Sequence, residues 1–548
     1  MLLKAHMTGK KESDLKQLAT YTYLIGGRLL YDTIYANLKG TLPSLRTVQQ
    51  FITESNQMQE GLFQIKQLKE FLLKRSFPLK IWLSEDATAI TGRIQYDIKT
   101  NNIVGYTLPL DNTTGLPVPN SFQATNAKVI QHIVKTGEKS TYAYVIVAQP
   151  LVNNSPSFVV SAFGTNNRFT FTDILKRWQQ IKMMCENEGI EVYGYSSDGD
   201  PKLLKSMRIW TGIPLLKVPQ GQPRWFQSKF SINQSLVVQD AVHIGTKLKT
   251  RLLKGGMRMG KYIAKREDLQ SLIRNTSKSE HFLVDSMLNS SDKMNFDSVE
   301  KISHERVQKY LKATIPESEG TAAFLNLMKK VLDAFLVKEL DVVERIQKVW
   351  YCVFVLRIWR SWLKNNHSLK DFITLNAYLC IEINAHSLIL LVLKCSTEPE
   401  LFTPWLTSSQ PCEKTFRCLR SLTSTFSTIV NFSMLDILQR INKLQTINEV
   451  VTDLGDTVSF PREQNRRMGD RGNQLVQDQM PTLDQINDIV DNIMLKALSD
   501  TKELGMDVEG YDWIQISVPN IDGEYIEESP SDEEMMEELV EEVVEETS

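Results

Sequence analysis

The sequence predicts an α/β protein: a mixed sheet flanked by helices, split by an all-α insertion, with a helical N-terminal region and an acidic, disordered C-terminal tail. Three observations predict it. Short apolar runs at residues 80–83, 142–148, 190–195 and 236–244 alternate with stretches of helical periodicity. Two of those runs release carboxylates at their ends, at Asp86 and at Asp198. From about 267 to 400 the pattern is nearly all helical and strongly apolar.

A chain of 548 residues has room for two to four domains and at least one large core. Its 42% hydrophobic and 23% charged content is that of an ordinary globular protein. The longest uninterrupted apolar run, near 388–393, is far too short to span a bilayer, so no membrane is expected, and the N-terminus has no signal-peptide core. Cys185, Cys352, Cys380, Cys395, Cys412 and Cys418 are scattered with no Cys-x-x-Cys pair, which argues against a disulfide framework or a zinc finger. The net charge of −2 hides an asymmetry. No Lys or Arg follows Lys502, and residues 503–548 hold 17 acids, which leaves 63 basic against 48 acidic residues in the body, a net of +15. A basic body suits a polyanionic partner, and an acidic tail suits basic protein partners.

Taken in order, residues 1–76 read as a helical N-terminal region. Ser44 is placed to cap a second helix after Thr41-Leu42-Pro43, the outline of a helix-turn-helix. Residues 77–254 form the first part of the α/β domain. A strand at 80–86 ends in Glu85-Asp86, and beside it a hairpin (92–98 and 103–108) turns at Lys99-Thr100-Asn101-Asn102. A loop at 111–120 precedes a helix at 121–137, a strand at 142–148 and a helix at 172–188. The next strand opens into Ser197-Asp198-Gly199-Asp200-Pro201, followed by a helix at 202–209. A strand at 236–244 turns into a basic helix. Lys247, Lys249, Arg251, Lys254, Arg258 and Lys261, with Lys265 and Arg266, have no acid among them from Ala241 onward, a density suited to DNA phosphates.

Residues 255–400 form the helical insertion. Within it, Gly255-Gly256-Met257-Arg258-Met259-Gly260-Lys261 has phosphate-loop spacing, but Tyr262 stands where Ser or Thr is required and no strand precedes it. Cys380, Glu382, Asn384 and His386 lie on an apolar helix, where buried hydrogen-bonded roles outweigh metal ligation. In residues 401–450, which the resemblance described below implies are the last part of the α/β domain, Gln410-Pro411-Cys412-Glu413 opens a helix. Residues 451–548 read as linker and tail, interrupted by a helix near 482–498.

The acids carry the chemistry. Asp86, Asp198 and Glu413 come from a first strand, a later strand and a late helix. Hard carboxylate oxygens from three such elements suit two Mg²⁺ or Mn²⁺ ions. Such a pair lowers the pKa of an attacking water or 3′-hydroxyl and stabilises the leaving 3′ oxygen.

Four segments then meet a known family. Ser84-Glu85-Asp86-Ala87-Thr88, Ser197-Asp198-Gly199-Asp200, Gln239-Asp240-Ala241-Val242-His243-Ile244 with Lys247, and Cys412-Glu413 with Phe416-Arg417 resemble, in order and setting, the acid-bearing segments of P-element-type transposases. These are Asp-Asp-Glu transposases with an RNase H-like fold, related to the hAT group. The resemblance covers about residues 20–450. It implies a catalytic domain split by the insertion between Lys254 and about Glu400. It also implies Asp86, Asp198 and Glu413 as the metal-binding triad, with Asp240 and His243 near it. Glu85 rivals Asp86 and Asp200 rivals Asp198; the preferred member of each pair is the one that matches the family's acid. The family's N-terminal zinc-binding module has no matching Cys/His spacing here, as in a truncated or host-recruited copy. The family also implies GTP bound in the insertion, which is short in this chain.

The expected function is a nuclear DNA transposase that cuts and joins transposon ends and target DNA as a homo-oligomer. The alternatives are a transposase-derived nuclear DNA-binding protein without catalytic activity, and a scaffold whose acidic tail recruits basic partners.

Overall fold

In the computed structural model, residues 9–38, 40–54, 57–215, 217–289, 292, 295–422, 432–455, 458 and 479–516 are described. The chain begins with α1 (Gly9–Asn37), α2 (Leu45–Glu54) and α3 (Ile65–Lys74). The strands and helices of the α/β part follow: β1 (Lys80–Ala89), β2 (Gln95–Asp97), β3 (Asn102–Val104), α4 (Ala127–Thr136), β4 (Tyr142–Pro150), β5 (Phe158–Thr165), α5 (Phe171–Asn187), β6 (Glu191–Ser197), α6 (Pro201–Thr211), β7 (Leu236–Gln239) and α7 (Ala241–Lys254). A small hairpin, β8 (Met257–Met259) and β9 (Tyr262–Ala264), leads into the helices. These are α8 (Arg266–Asn275), the one-turn α9 (Lys278–His281), α10 (Phe296–Ser303), α11 (Glu305–Thr314), α12 (Glu319–Leu336), α13 (Val342–Asn366) and α14 (Leu375–Lys394). Last come α15 (Gln410–Ser421), α16 (Met434–Leu454) and α17 (Leu483–Glu503).

The main sheet has the order β5-β4-β1-β6-β7. β1 pairs antiparallel with β4 (Glu85 opposite Ile146, Asp86 opposite Val145), β4 antiparallel with β5, and β6 parallel with β7. This is the mixed sheet flanked by helices that the sequence predicts. The chain divides within β6 into two compact units, residues 1–193 with 409–464 and residues 194–408 with 465–548.

In the first unit, α15 and α16 cover one face of β1, β4 and β5. Their core joins Val145, Val147 and Ala162 to Cys412, Phe416, Ile437 and Ile441. The helix α16 is fixed at its start by a capping box in which Ser433 and Asp436 each accept the other's backbone N–H. On the N-terminal side, Ala19, Tyr31 and Val48 form a small separate cluster between α1 and α2, and Ser44 Oγ accepts from Thr47 N at the start of α2. Two expectations change. The hairpin β2–β3 is present, but it makes its own two-stranded sheet, because β4 already occupies the edge of β1. The expected helix at 121–137 is shorter, starting where the Asn126 side chain accepts from Val129 N.

The second unit is built on α13 and α14. The helix α13 is buried from Val349 to Leu363, with α12, α14 and α17 packed around it. By length and composition α14 could cross a membrane, yet 89% of its apolar window is buried inside the protein, against β7, α6, α7 and α13. The helix expected near 482–498 is present as α17, running on to Glu503 and packing against α13. A capping box between Thr482 and Gln485 starts it, and Ile486, Val490 and Ala497 are buried. The expected acidic tail, from 517 onward, lies outside the described residues.

The expected strand at 236–244 stops at Gln239. Asp240 is an N-cap whose Oδ1 accepts from Val242 N, so residues 241–244 are the first turn of α7. A continuous apolar run reads the same in a buried strand and in a buried helix turn.

The polar residues of α14 are structural, as expected. Glu382 takes both arms of Arg357 at 2.8 and 2.7 Å. The Asn384 amide bonds the N–H and carbonyl of Gln239, tying the end of β7 to α14 as another strand would. His386 Nε2 accepts from Gln227 N at 2.9 Å, leaving Nδ1–H to donate to the Glu382 carbonyl at 2.6 Å. The ring is therefore neutral, and burial pushes its pKa down to about 4. Because the unfolded chain binds this proton more readily, the stability tied to a neutral His386 is fully present above about pH 6.5 and is lost as pH falls toward 4. The full effect is about 3 kcal/mol. Denaturant titrations between these pH values should show a shallower loss in His386→Gln, which keeps an acceptor but does not titrate; equal pH slopes in the two proteins would refute the assignment.

Candidate active site

Strand parity decides between the neighbouring acids of β1. Successive side chains point to opposite faces of a sheet, so Glu85 and Asp86 cannot share a site. Glu85 faces α5. It is 2% exposed, accepts from Trp178 Nε1 at 2.7 Å and from Arg177 Nη2 at 3.0 Å, and Arg177 also reaches the Tyr144 hydroxyl. Burial alone disfavours the Arg177 charge, yet Glu85 holds its pKa above the ordinary value. Glu85 is thus consumed by a buried ion pair.

Ser84 and Asp86 face α15. Ser84 Oγ lies 3.3 Å from Cys412 Sγ, and Arg420 Nη2 donates to Thr88 Oγ1 at 3.0 Å. These contacts fix the start and the last turn of α15 along β1. Glu413, adjacent to Cys412 in the first turn, is half-buried and accepts from Gln410 Nε2 at 2.9 Å. The start of α15 also carries Pro411, suited to a first helical turn, where no backbone N–H is needed. The thiol of Cys412 is pushed well above its usual pKa, first by burial and then by the charge of Asp86, with Glu85 and Glu413 adding to it. The charges of Asp86, Glu85 and Glu413 thus all reach this one buried thiol.

In the second unit the acids gather at the ends of β6 and β7. Asp198 is half-buried just past β6, and its Oδ1 accepts from Asp200 N at 3.1 Å. Gly199, at φ +91°, makes the turn between them in a conformation that L side chains avoid. Asp200 is the N-cap of α6, with Oδ1 accepting from Lys202 N and Leu203 N. Burial raises its pKa, and the charge of Asp198 raises it further. Asp240 N donates to the Ser197 carbonyl at 2.9 Å, which sets the two strand ends side by side. Asp240 is buried at the start of α7, and His243 is half-buried one turn on. Lys247 Nζ donates to the Gly199 carbonyl at 3.2 Å, so it braces the turn between Asp198 and Asp200.

The basic helix separates into two groups that composition could not distinguish. Lys249, expected to contact DNA, is instead 1% exposed, and its Nζ donates to the Asp292 carbonyl and to Ser298 Oγ. Arg251 holds the carbonyls of Phe372, Lys370 and Gly255, clamping the chain ahead of α14. Arg258 pairs with Asp371 at 3.8 Å while remaining partly exposed. Lys254 and Lys261 are exposed. The phosphate-loop look-alike is the β8–β9 hairpin: Gly260, at φ +66°, makes its turn, and Lys261 N donates to the Leu504 carbonyl.

The donor set fits hard divalent ions. The carboxylates are half-buried, and in each unit their charge raises the pKa of a neighbouring group, Cys412 in one and Asp200 in the other. No family model matches the chain, and no curated protein does. Among solved structures the chain is similar to the Drosophila P element transposase strand transfer complex, with a TM-score of 0.57 and 14% identity over 80% of this chain and 91% of that one. The protein has a transposase-like fold.

Proposed function

We propose that this protein is a DNA transposase of the P-element type, acting through Asp86, Asp198 and Glu413 as ligands of two Mg²⁺ or Mn²⁺ ions. The observation that carries the reading is the fold shared with a P element transposase; the half-buried Asp86 and Glu413, whose charges both reach the buried Cys412 thiol, support it. The transposase reading requires Asp198 to complete the same ion site. Bound there, the ions would supply a lowered pKa for the attacking hydroxyl and charge stabilisation for the leaving 3′ oxygen.

The chain's own residues have distinct parts in this reading. Arg177 and Trp178 hold Glu85 inside, so that β1 presents Asp86 alone on the other face. Thr88 and Ser84 anchor α15 and thereby Glu413. Asp200 and Asp240 cap α6 and α7, and Lys247 braces the Asp198 turn. His243 neighbours Asp240 on α7. DNA is the proposed partner, in a homo-oligomer within the nucleus, with basic proteins as partners of the acidic tail. GTP enters by family resemblance alone.

The test is nicking of supercoiled plasmid, and joining of a 3′-hydroxyl oligonucleotide duplex to it, by the full-length chain. Activity that needs Mg²⁺ or Mn²⁺ and disappears in Asp198→Ala supports the transposase. DNA binding with no cleavage, indifferent to metal and to that substitution, would favour a transposase-derived DNA-binding protein.

The exposed and buried cations should separate in binding measurements. Lys254→Gln and Lys261→Gln should each lower the slope of log K against log salt by about 0.9, the change expected when one DNA phosphate is no longer neutralised. Lys249→Met should leave that slope unchanged and instead lower the unfolding midpoint, by removing the bonds to Asp292 and Ser298. A changed slope in Lys249→Met would contradict its assignment as structural.

A further inference from the structure

The strand β7 stands last in the sheet order, and a helix serves its outer edge. Along one face of α14, Asn376, Cys380, Asn384 and Ser387 recur at helical spacing. Two of them satisfy the edge: Asn384 bonds the N–H and carbonyl of Gln239, and Ser387 Oγ donates to the Val237 carbonyl. The helix therefore runs antiparallel to β7, with its first turn at the carboxyl end of the strand. Asn376 lies in that turn, and its bonds go elsewhere. Its Nδ2 donates to the Gly199 carbonyl at 3.2 Å, and its Oδ1 accepts from Lys247 Nζ at 3.5 Å and from Cys380 Sγ at 3.3 Å.

The Gly199 carbonyl thus accepts from two side chains, Lys247 and Asn376. Gly199 makes the turn between Asp198 and Asp200, and a glycine backbone is the most permissive of all. Such a turn keeps an acid in one place only if something outside the turn holds it. Lys247 by itself is a poor brace, because its ammonium ends a flexible stem. Asn376 is a short side chain on the first turn of a largely buried helix, and it holds both the carbonyl and the ammonium. The packing is close: a Cβ at Gly199 would lie 3.2 Å from both Lys247 Nζ and Gln239 Oε1. The place of the acid is read in one bond, from Asp200 N to Asp198 Oδ1 at 3.1 Å.

We propose that Asn376 is a positioning residue for Asp198, through which the helical insertion sets where that carboxylate is offered. The proposal rests on the reading of Asp198 as a metal ligand. Removing a residue that orients a metal's ligand commonly weakens metal binding by about 10–100-fold. The insertion reaches the acid's turn from 177 positions further along the chain, so a shift of α14 along β7 is felt at Asp198.

The test is calorimetric titration of the full-length chain with Mn²⁺, alongside hydrogen exchange of the Asp200 amide, which reports on the Asp198 carboxylate without metal. Asn376→Leu, similar in volume and lacking both bonds, should weaken Mn²⁺ binding about ten-fold and speed Asp200 exchange several-fold. Asn376→Asp, which keeps an acceptor for Lys247, should fall between Asn376→Leu and the parent. Ser387→Ala loosens α14 from β7 without touching the turn, and both readouts should match the parent's. A mere loss of folded protein lowers the number of sites in the titration and not their affinity. If Asp198→Ala weakens Mn²⁺ binding, then unchanged affinity in Asn376→Leu, or an equal loss in Ser387→Ala, overturns the proposal. If Asp198→Ala leaves Mn²⁺ affinity unchanged, the transposase reading fails by itself. Faster Asp200 exchange in Asn376→Leu then still supports Asn376 as the acid's support, and exchange equal to the parent's overturns it.

Discussion

Asp198→Ala should abolish metal-dependent nicking by the full-length chain, with a loss of at least about 10³-fold, the scale expected when one member of a catalytic unit is removed. Asp86→Ala and Glu413→Ala should lose as much, and any two of these changes together should lose little more than one. The reason is chemical: a divalent ion that has lost a carboxylate ligand lowers the pKa of its bound hydroxyl less and sits less firmly. Calorimetric titration with Mn²⁺ provides a readout that does not depend on turnover, and affinity should weaken in each of the three variants. Glu85→Gln is the matched comparison, because Glu85 lies on the opposite face of β1 with Arg177 and Trp178. Its Mn²⁺ affinity should equal the parent's. If Glu85→Gln lost Mn²⁺ and Asp86→Ala kept it, the face assignment would be wrong.

Arg177→Ala should produce the largest loss of stability among these substitutions, about 3–5 kcal/mol in denaturant unfolding. The Arg177 and Glu85 side chains are 0% and 3% exposed, so the change leaves a carboxylate buried with only the Trp178 N–H. The double variant Arg177→Met with Glu85→Leu should recover much of that loss, since it removes both charges while filling similar volume. Recovery in the double variant would mark the penalty as an unpaired charge; equal instability in single and double would assign it to poorer packing.

Asp86 and Asp198 are legible in the sequence because each follows an apolar run, whereas Glu413, and the choice of Asp86 over Glu85 and of Asp198 over Asp200, come from the resemblance to the family's acid-bearing segments. The strand β5 escapes that reading, although Phe158, Val159, Val160 and Phe163 stand between turn residues at Asn153-Asn154-Ser155-Pro156 and Asn166-Asn167. Its β-branched and aromatic content is the signal that could have found it. The direction of Lys249 has no such signal. A cation on an amphipathic helix reads alike whether it meets solvent, DNA or a carbonyl, and α10 supplies the Ser298 hydroxyl from 49 positions away.

What the sequence determined by itself was local: the alternation of elements, the capping residues, the charge asymmetry, and the carboxylate just past β6. These follow from periodicity and from side-chain chemistry within a few residues. Asp86, expected at a strand end, lies within β1, which stays paired with β4 to Ala89. Only the tertiary structure decided which neighbour of a pair is consumed and which is offered, Glu85 against Asp86 on β1. It also decided which cations serve the core. Those outcomes depend on what packs against each face, and the packing partners, α5 and α15, come from residues about 90 and 330 positions further along the chain.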